Sequence, residues 1–308
     1  MSERTALRPI SGVVLLDKAT GLSSNSALQR VKRLFKARKA GHTGSLDPLA
    51  SGLLPVCLGE ATKLSGFLLN HDKRYTVTIR LGITTDTGDT EGSMVATAPV
   101  PRLTKNDMLE VLSGFRGEVM QKPPMYSAIK HQGKRLYELA RQGIEVERKA
   151  RPVTLYELNL LSMEDDSLEL DVRCSKGTYI RTLAEDIGNV LGCGGHVTRL
   201  RRTEVGDLTL AQAYTESSLA SLPESPLMDT LLPPDAIISN IPAVHLSDEQ
   251  GFYVQRGQAV RVTDPPATDG WVRLYLQHTR FLGMGIVLND GRIAPRRLLN
   301  SEEQDAQT

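Results

Sequence analysis

The sequence predicts an α+β protein of two unequal domains, and three observations carry that prediction. Along the first two thirds of the 308 residues, apolar positions switch repeatedly between the period-two pattern of strands and the longer period of helices. A proline-rich stretch, LPESPLMDTLLPP from Leu222 to Pro234, has the composition of a connection between domains. Beyond it the text is rich in short strand candidates, which points to a small β-barrel. The chain is 40% hydrophobic, enough to bury a large core.

Gly12 to Leu16 reads as the first strand, followed by a polar loop from Asp17 to Asn25. A helix comes next, with Ser26 and Gln29 at capping-box spacing and Leu28, Val31 and Leu34 or Phe35 at helical intervals. Its other face is basic: Arg30, Lys32, Arg33, Lys36, Arg38 and Lys39 run without an intervening acid. A solvated helix face and a polyanion-binding face are both open, and the placement beside the next segment favours RNA or DNA. Net charge is only +1, so an anionic partner has to be met by such local clusters.

The segment Gly41 to Gly59, GHTGSLDPLASGLLPVCLG, combines turn formers, one carboxylate and a continuous apolar run. Gly41, Gly44 and Gly52 relax the backbone, and Pro48 pushes Asp47 out of helical geometry. Asp47 is thus presented on a loop backed by a strand buried on both faces, or by a buried helical segment, since periodicity does not separate the two. An Asp-Pro turn former and an active-site carboxylate remain alternatives at this point. EATKLSGFLLN then reads as a short helix. Lys73 to Leu81 alternates as a half-buried strand with Tyr75 on its apolar side, as a core or a functional tyrosine. The loop TTDTGDTEG, with Asp86, Asp89 and Glu91, lacks the length and terminal glutamate of an EF-hand and reads as a turn.

Residues 121–151 are basic again, with Lys130, Lys134 and Arg135 prominent and the rings of Tyr126, His131 and Tyr137 interleaved. This composition suits a clamp over nucleic acid or a docked amphipathic helix. Leu168 to Cys174 reads as a strand and KGTYIRTLAEDIGNVLG as a turn and helix ending at Gly192, with Tyr179 and Arg181 at the turn. HVTRLRRTEVG is a further strand. After the proline-rich connection, residues 259–262, 271–277, 282–288 and 291–294 are strand candidates, with Asn289-Asp290-Gly291 as a hairpin turn. The last eight residues, SEEQDAQT, read as a disordered acidic tail. Cys57, Cys174 and Cys193 lack CxxC spacing, and Cys193 with His196 falls short of a metal-ligand set. No apolar run has membrane-spanning length and the N-terminus has no signal-peptide core, so a soluble cytoplasmic protein is expected.

Five blocks in this order, GHTGSLDPLASGLLPVCLGEATK, KRYTV, QKPPMYSAIKHQGKRLYELAR, CSKGTYIRTLAEDIG and LRRT, resemble the tRNA pseudouridine synthase B family from about Val14 to Gly206. The resemblance implies a pseudouridine synthase catalytic domain over residues 10–240, built on a central, mainly antiparallel sheet. It also implies a PUA-like RNA-binding β-barrel over 247–300, on the looser match of GQAVRV and FLGMGIVLNDGRIAPRRLL. The implied activity is isomerisation of the uridine at position 55, in the TΨC arm of tRNA, to pseudouridine, by a monomer with no cofactor, metal or obligate protein partner.

The same resemblance assigns Asp47 as nucleophile or carboxylate stabiliser and Arg181 as the arginine that pairs with it and keeps it ionised despite burial. It assigns Tyr75 to packing on the base and to proton transfer from C5. Tyr179 and Leu200 form the rest of the pocket wall, and His42 fills the stack vacated when the base flips out. Asp17, Lys18, Ser24 and Asn25 match a supporting N-terminal block. Recognition is expected to be split between the basic catalytic face and the barrel. A non-catalytic RNA-folding helper explains the clamp and barrel but gives no reason for the Asp47, Tyr75 and Arg181 set. An aspartyl-phosphate enzyme would need metal-binding carboxylates beside Asp47, and the sequence has none there.

Overall fold

The computed structural model describes residues 7–266 and 270–300. In chain order the strands are β1 (Gly12–Lys18), β2 (Ala40–His42), β3 (Ser51–Leu58), β4 (Lys73–Leu81), β5 (Ile83–Thr85), β6 (Met94–Thr97), β7 (Gly117–Gln121), β8 (Lys130–His131) and β9 (Lys134–Arg135). They continue with β10 (Arg151–Glu164), β11 (Ser167–Cys174), β12 (Gly195–Val205), β13 (Leu208–Thr209), β14 (Tyr214–Thr215), β15 (Ala243–Leu246), β16 (Trp271–Leu276), β17 (Arg280–Val287) and β18 (Ile293–Leu298). The helices are α1 (Ser24–Leu34), α2 (Ser65–Leu68), α3 (Lys105–Ser113), α4 (Leu136–Ala140), α5 (Ile180–Val190), α6 (Glu216–Ser221), α7 (Glu224–Asp229) and α8 (Asp248–Gln255).

A ten-stranded sheet in the order β14-β1-β3-β12-β4-β11-β10-β7, with β2 on β3 and β13 on β12, organises the molecule. Its pairings are antiparallel except β1 with β14 and β3 with β12, so the sheet is mixed but mainly antiparallel. The central strands separate two cores, which explains their unbroken apolar runs. Val14 and Leu16 of β1 and Leu54, Val56 and Leu58 of β3 face one core. Their neighbours Val13, Leu15, Leu53 and Cys57 face the other. Helices α1 and α5 cover the first core with Leu28, Val31, Ile180 and Ile187.

Residues beyond the proline-rich stretch form a four-stranded sheet, β15-β16-β17-β18, with α8 against it. The expected barrel is corrected here: pairing among the described residues gives an open sheet and no closed barrel. The candidate strand at 259–262 contributes only an isolated bridge from Val260 to Ile293, too little to carry a ring of hydrogen bonds round. The sheet does not stand apart, because its Phe281 and Met284 join the second core beside Val13 and Leu53. The proline-rich stretch itself packs down, with Leu227 in the first core and Leu232 bridged to Val13.

Other elements differ locally from expectation. Helix α1 starts three residues earlier than its capping-box spacing suggested, capped by Ser23, whose side chain accepts from the Ser26 amide. Residues 59–64 form a 3-10 helix before the single turn of α2. The acidic tail expected at 301–308 lies outside the described residues. Among the described residues, no helix is long and apolar enough to cross a membrane.

Candidate active site

The loop from Thr43 to Ala50, between β2 and β3, is built from the backbone outwards. The Ser24 hydroxyl, at the start of α1, accepts from the Leu46 amide at 2.7 Å and donates to the Leu46 carbonyl at 3.0 Å. The Ala50 amide donates to the Asp47 carbonyl, and the Gly21 amide to the Pro48 carbonyl. Gly52 follows at φ +102°, where a Cβ would lie 2.2 Å from the Arg202 carbonyl oxygen, so only glycine lets β3 approach β12 there. These ties hold Asp47 at the loop's tip with a side chain that is 41% exposed. The burial expected of this carboxylate is therefore corrected: it is partly exposed, and the buried member of the pair is the arginine.

Arg181 lies in the first turn of α5 with 5% of its side chain exposed. Its Nε donates to Asp47 Oδ2 at 2.9 Å, while Nη1 donates to the Thr87 carbonyl and Nη2 to the Tyr126 carbonyl, each at 2.7 Å. The contact with Asp47 is one hydrogen bond, and the rest of the fork ties the β5–β6 connection and residues 121–151 to the site. A second carboxylate, Asp89, has Oδ2 3.5 Å from the same Nε and is itself buried. The loop read as a plain turn from sequence thus supplies a buried counter-charge, oriented by Thr87 Oγ1 and the Glu91 amide donating to its Oδ1.

Tyr75 on β4 packs against the first core and pairs across the sheet with Arg202 of β12, while Val77 pairs with Leu200. Side chains at Tyr75, Val77, Leu200 and Arg202 therefore share one face. Burial pushes the Tyr75 phenol above its ordinary pKa, and the Arg202 guanidinium opposes that shift. Tyr179 caps the N-terminus of α5, its amide and carbonyl both held by the buried Gln121 side chain. Burial also raises its phenol. His42 ends β2 with Nδ1 buried and without a hydrogen-bond partner, and burial, then the Arg202 charge, lower its pKa. Lys18 is buried with Nζ donating to the Ala19 and Leu22 carbonyls, and burial lowers its pKa to about 8 against the pull of Asp47. Asp17 pairs with Arg201 instead.

The structure brings Asp47 and Arg181 into direct contact and sets Tyr75 and Leu200 on one sheet face. Lys130, Lys134 and Arg135 lie elsewhere, exposed on the β8–β9 hairpin. Tyr137 behind it is flanked by Arg135 and Arg141 at 5.9 and 5.4 Å from its ring, so its face is already occupied by guanidinium groups. Sequence reasoning missed Asp89, Gln121 and Arg202 as site residues. Nothing local marks the burial of Asp89 or singles out Arg202 among the three arginines of its strand. Among the described residues no group of three His, Cys, Asp or Glu side chains could hold a metal ion. His196 is committed to the Ile83 carbonyl through Nδ1.

Residues 32–180 match the model for TruB family pseudouridylate synthase, N-terminal domain. Residues 181–239 match the tRNA pseudouridylate synthase B C-terminal domain, and 242–299 match pseudouridine synthase II TruB, C-terminal. The chain is 56% identical to tRNA pseudouridine synthase B of Nitrosococcus oceani over 296 residues, covering 95% of this chain and 96% of that one. It is 55% identical to tRNA pseudouridine synthase B of Coxiella burnetii, with the same coverage. Its fold is like that of a chain in the crystal structure of the archaeal box H/ACA sRNP Nop10-Cbf5 complex, at a TM-score of 0.72 and 22% identity, covering 96% of this chain and 88% of that one.

Proposed function

This chain belongs to the TruB family of pseudouridylate synthases, and from that premise we propose that it converts the uridine at position 55 in the TΨC arm of tRNA to pseudouridine. The reaction breaks the C1′ to N1 glycosidic bond, turns the uracil and joins C5 to the same sugar carbon. Atoms and oxidation state are conserved, so side chains suffice. Asp47 is the nucleophile, or the carboxylate that holds the cleaved sugar, and its partial exposure leaves it open to a flipped nucleotide. Arg181 orients it and Asp89 holds Arg181. Tyr75 packs on the base and takes the C5 proton, Leu200 and Tyr179 line the pocket, and His42 enters the vacated stack.

Lys130, Lys134 and Arg135 contact phosphates from the exposed hairpin, and residues 247–300 act as a PUA-like RNA-binding module beside a catalytic domain over 10–240. The enzyme works in the cytoplasm as a single chain, in keeping with the origin of Asp47, Arg181 and Tyr75 in one chain.

The observation that carries this reading is the 2.9 Å contact of a buried arginine with a partly exposed aspartate. An RNA-folding helper has no use for that arrangement. The deciding experiment measures tritium release from C5-labelled uridine in a TΨC stem-loop, with filter binding on the same preparations. Asp47→Asn is expected to abolish release while keeping affinity, because the amide retains shape but not nucleophilic charge. Release near the parental rate by that variant overturns the assignment, and no release by the parent favours the folding helper.

A further inference from the structure

Arg202 is the largest fully buried side chain among the described residues, 1% exposed, and it makes no ion pair with a carboxylate among them. A buried charge held only by neutral groups is costly, and such an arrangement persists where surrounding structure compensates for it. The guanidinium donates from Nε to the Leu53 carbonyl at 2.8 Å and from Nη2 to the Gly44 carbonyl at 3.1 Å. Gly44 opens the loop that presents Asp47, and Leu53 belongs to the strand that closes it. The Arg202 backbone is meanwhile registered against Gly52 on one side and Tyr75 on the other. One residue therefore joins two parts of the site: the Asp47 loop through its side chain, and the Tyr75 strand through its ladder position.

We propose that Arg202 is a positioning residue for pseudouridine formation, which fixes the Asp47 loop against the Tyr75 strand and sets a fixed positive charge beside Tyr75 on the same sheet face. This rests on the roles given above to Asp47 and Tyr75. When Tyr75, as the phenolate, takes the C5 proton of the rejoined uracil, the C–H electron pair re-forms the C5=C6 double bond, the N1=C6 pair moves onto N1, which takes a proton from solvent, and the phenol returns its own proton to solvent. A phenolate at that oxygen is favoured by a fixed cation and opposed by burial. The other titratable groups that feel Arg202 are His42 on β2, Lys18 on β1 and Lys73 on β4, and Asp47 and Cys174 also act on Tyr75. Arg202 is the guanidinium among them, and its charge lowers the Tyr75 pKa against the larger, opposite effect of burial.

The test follows single-turnover tritium release from a C5-labelled stem-loop at neutral pH, for the parent, Arg202→Met, Arg202→Lys and Tyr75→Phe, with stem-loop affinity and thermal unfolding measured alongside. Arg202→Met is expected to slow release by about 10²-fold, the order of loss from a small misplacement of reacting groups, while stem-loop affinity stays near parental. Arg202→Lys keeps the charge and recovers part of that loss, but releases tritium about tenfold more slowly than the parent, since one ammonium lacks the planar fork that spans the two carbonyls. A purely structural role would lower rate and affinity together, in proportion to the folded fraction, and that outcome overturns the proposal. If Arg202→Met does not fold, parental rates from Arg202→Lys overturn it on their own. Full release by Tyr75→Phe removes the reading beneath it, whereas loss in Tyr75→Phe with a parental rate in a folded Arg202→Met refutes the Arg202 role alone.

Discussion

Arg181 spends one nitrogen on Asp47 and two on backbone carbonyls: Nε reaches Asp47 Oδ2 at 2.9 Å, while Nη1 and Nη2 reach Thr87 and Tyr126. Its planar fork therefore sets three chain segments at once. Arg181→Lys keeps a positive charge but cannot hold the same three directions. Each buried hydrogen bond to a charged group is worth about 1.5–3 kcal/mol, so losing one predicts a rate loss of about 10- to 10²-fold. Stability should fall as well. Tritium release and urea unfolding on one preparation check both, and a lysine variant of parental rate would show that Arg181 acts as a charge only.

Ser24 predicts a separable effect on the same loop. Its hydroxyl both accepts from and donates to the Leu46 backbone in a buried setting, so Ser24→Ala leaves an amide and a carbonyl without that partner. The expected cost is about 1–3 kcal/mol in unfolding free energy. Because Leu46 adjoins Asp47, kcat should fall while stem-loop affinity stays near parental. An unchanged unfolding midpoint would mean that water replaces the hydroxyl.

The Asp47 segment was legible because its physics is local. Turn formers on either side of Asp47 and a two-faced apolar strand behind it were visible as residue types, and β3 is indeed a buried strand. Asp89 was not legible. It looks like any turn aspartate until its hairpin folds back on β12, bridging Asp89 to Val197 and burying the carboxylate against α5. Arg202 failed for a related reason, since three arginines in TRLRRT look alike until the sheet register decides which one faces inwards. Strand β10 escaped because its pattern is weak at the sheet's periphery, where alternate residues stay exposed. Barrel closure depends on pairings between distant strands, which no local pattern encodes.

The clamp prediction rests on exposure. Lys130, Lys134 and Arg135 lie on the β8–β9 hairpin, with Gln132 and Gly133 at positive φ making its turn. Replacing all three with Ala should weaken stem-loop binding and reduce the slope of log affinity against log salt by about 2 to 3, if each neutralises one phosphate. A slope that does not change would remove the hairpin from the RNA contact surface.

Lys18 carries a pH prediction. Its pKa falls from 10.5 to about 8 in the folded protein, chiefly through burial. Below pH 8 both folded and unfolded chains hold the proton. Between about 8 and 10.5 the unfolded chain holds more, so this group's contribution to stability rises with pH. Cys57, whose thiol burial pushes up to about 12, acts in the opposite direction above its ordinary value of 9.0. The difference between parent and Lys18→Met isolates the lysine: urea midpoints at pH 7.5, 8.5 and 9.5 should show the parent gaining on the variant. A constant difference across that range would place the folded pKa near its ordinary value.

Removing the chain beyond Leu246 would divide RNA recognition from chemistry if residues 247–300 were an independent module. The packing predicts otherwise. Phe281, Met284 and Leu299 sit in the same core as Val13, Leu15 and Leu53, on the opposite face of the strands that hold the Asp47 loop. Burying each such side chain contributes about 1.5–3 kcal/mol, so losing three approaches the 5–15 kcal/mol that typically holds a domain together. The truncated protein should be unfolded or aggregated, and a soluble truncation with parental melting would sink this account. Surface substitutions separate the roles without that damage. Phe252, half exposed on α8, stacks under the Arg256 guanidinium at 3.4 Å and offers an aromatic face and a cation together. Phe252→Ala with Arg256→Ala should lower affinity for full-length tRNA several-fold and leave the isolated stem-loop reaction at the parental rate. Equal loss on both substrates would mean that α8 supports the catalytic face, and the division of recognition between the two sheets would have to be abandoned.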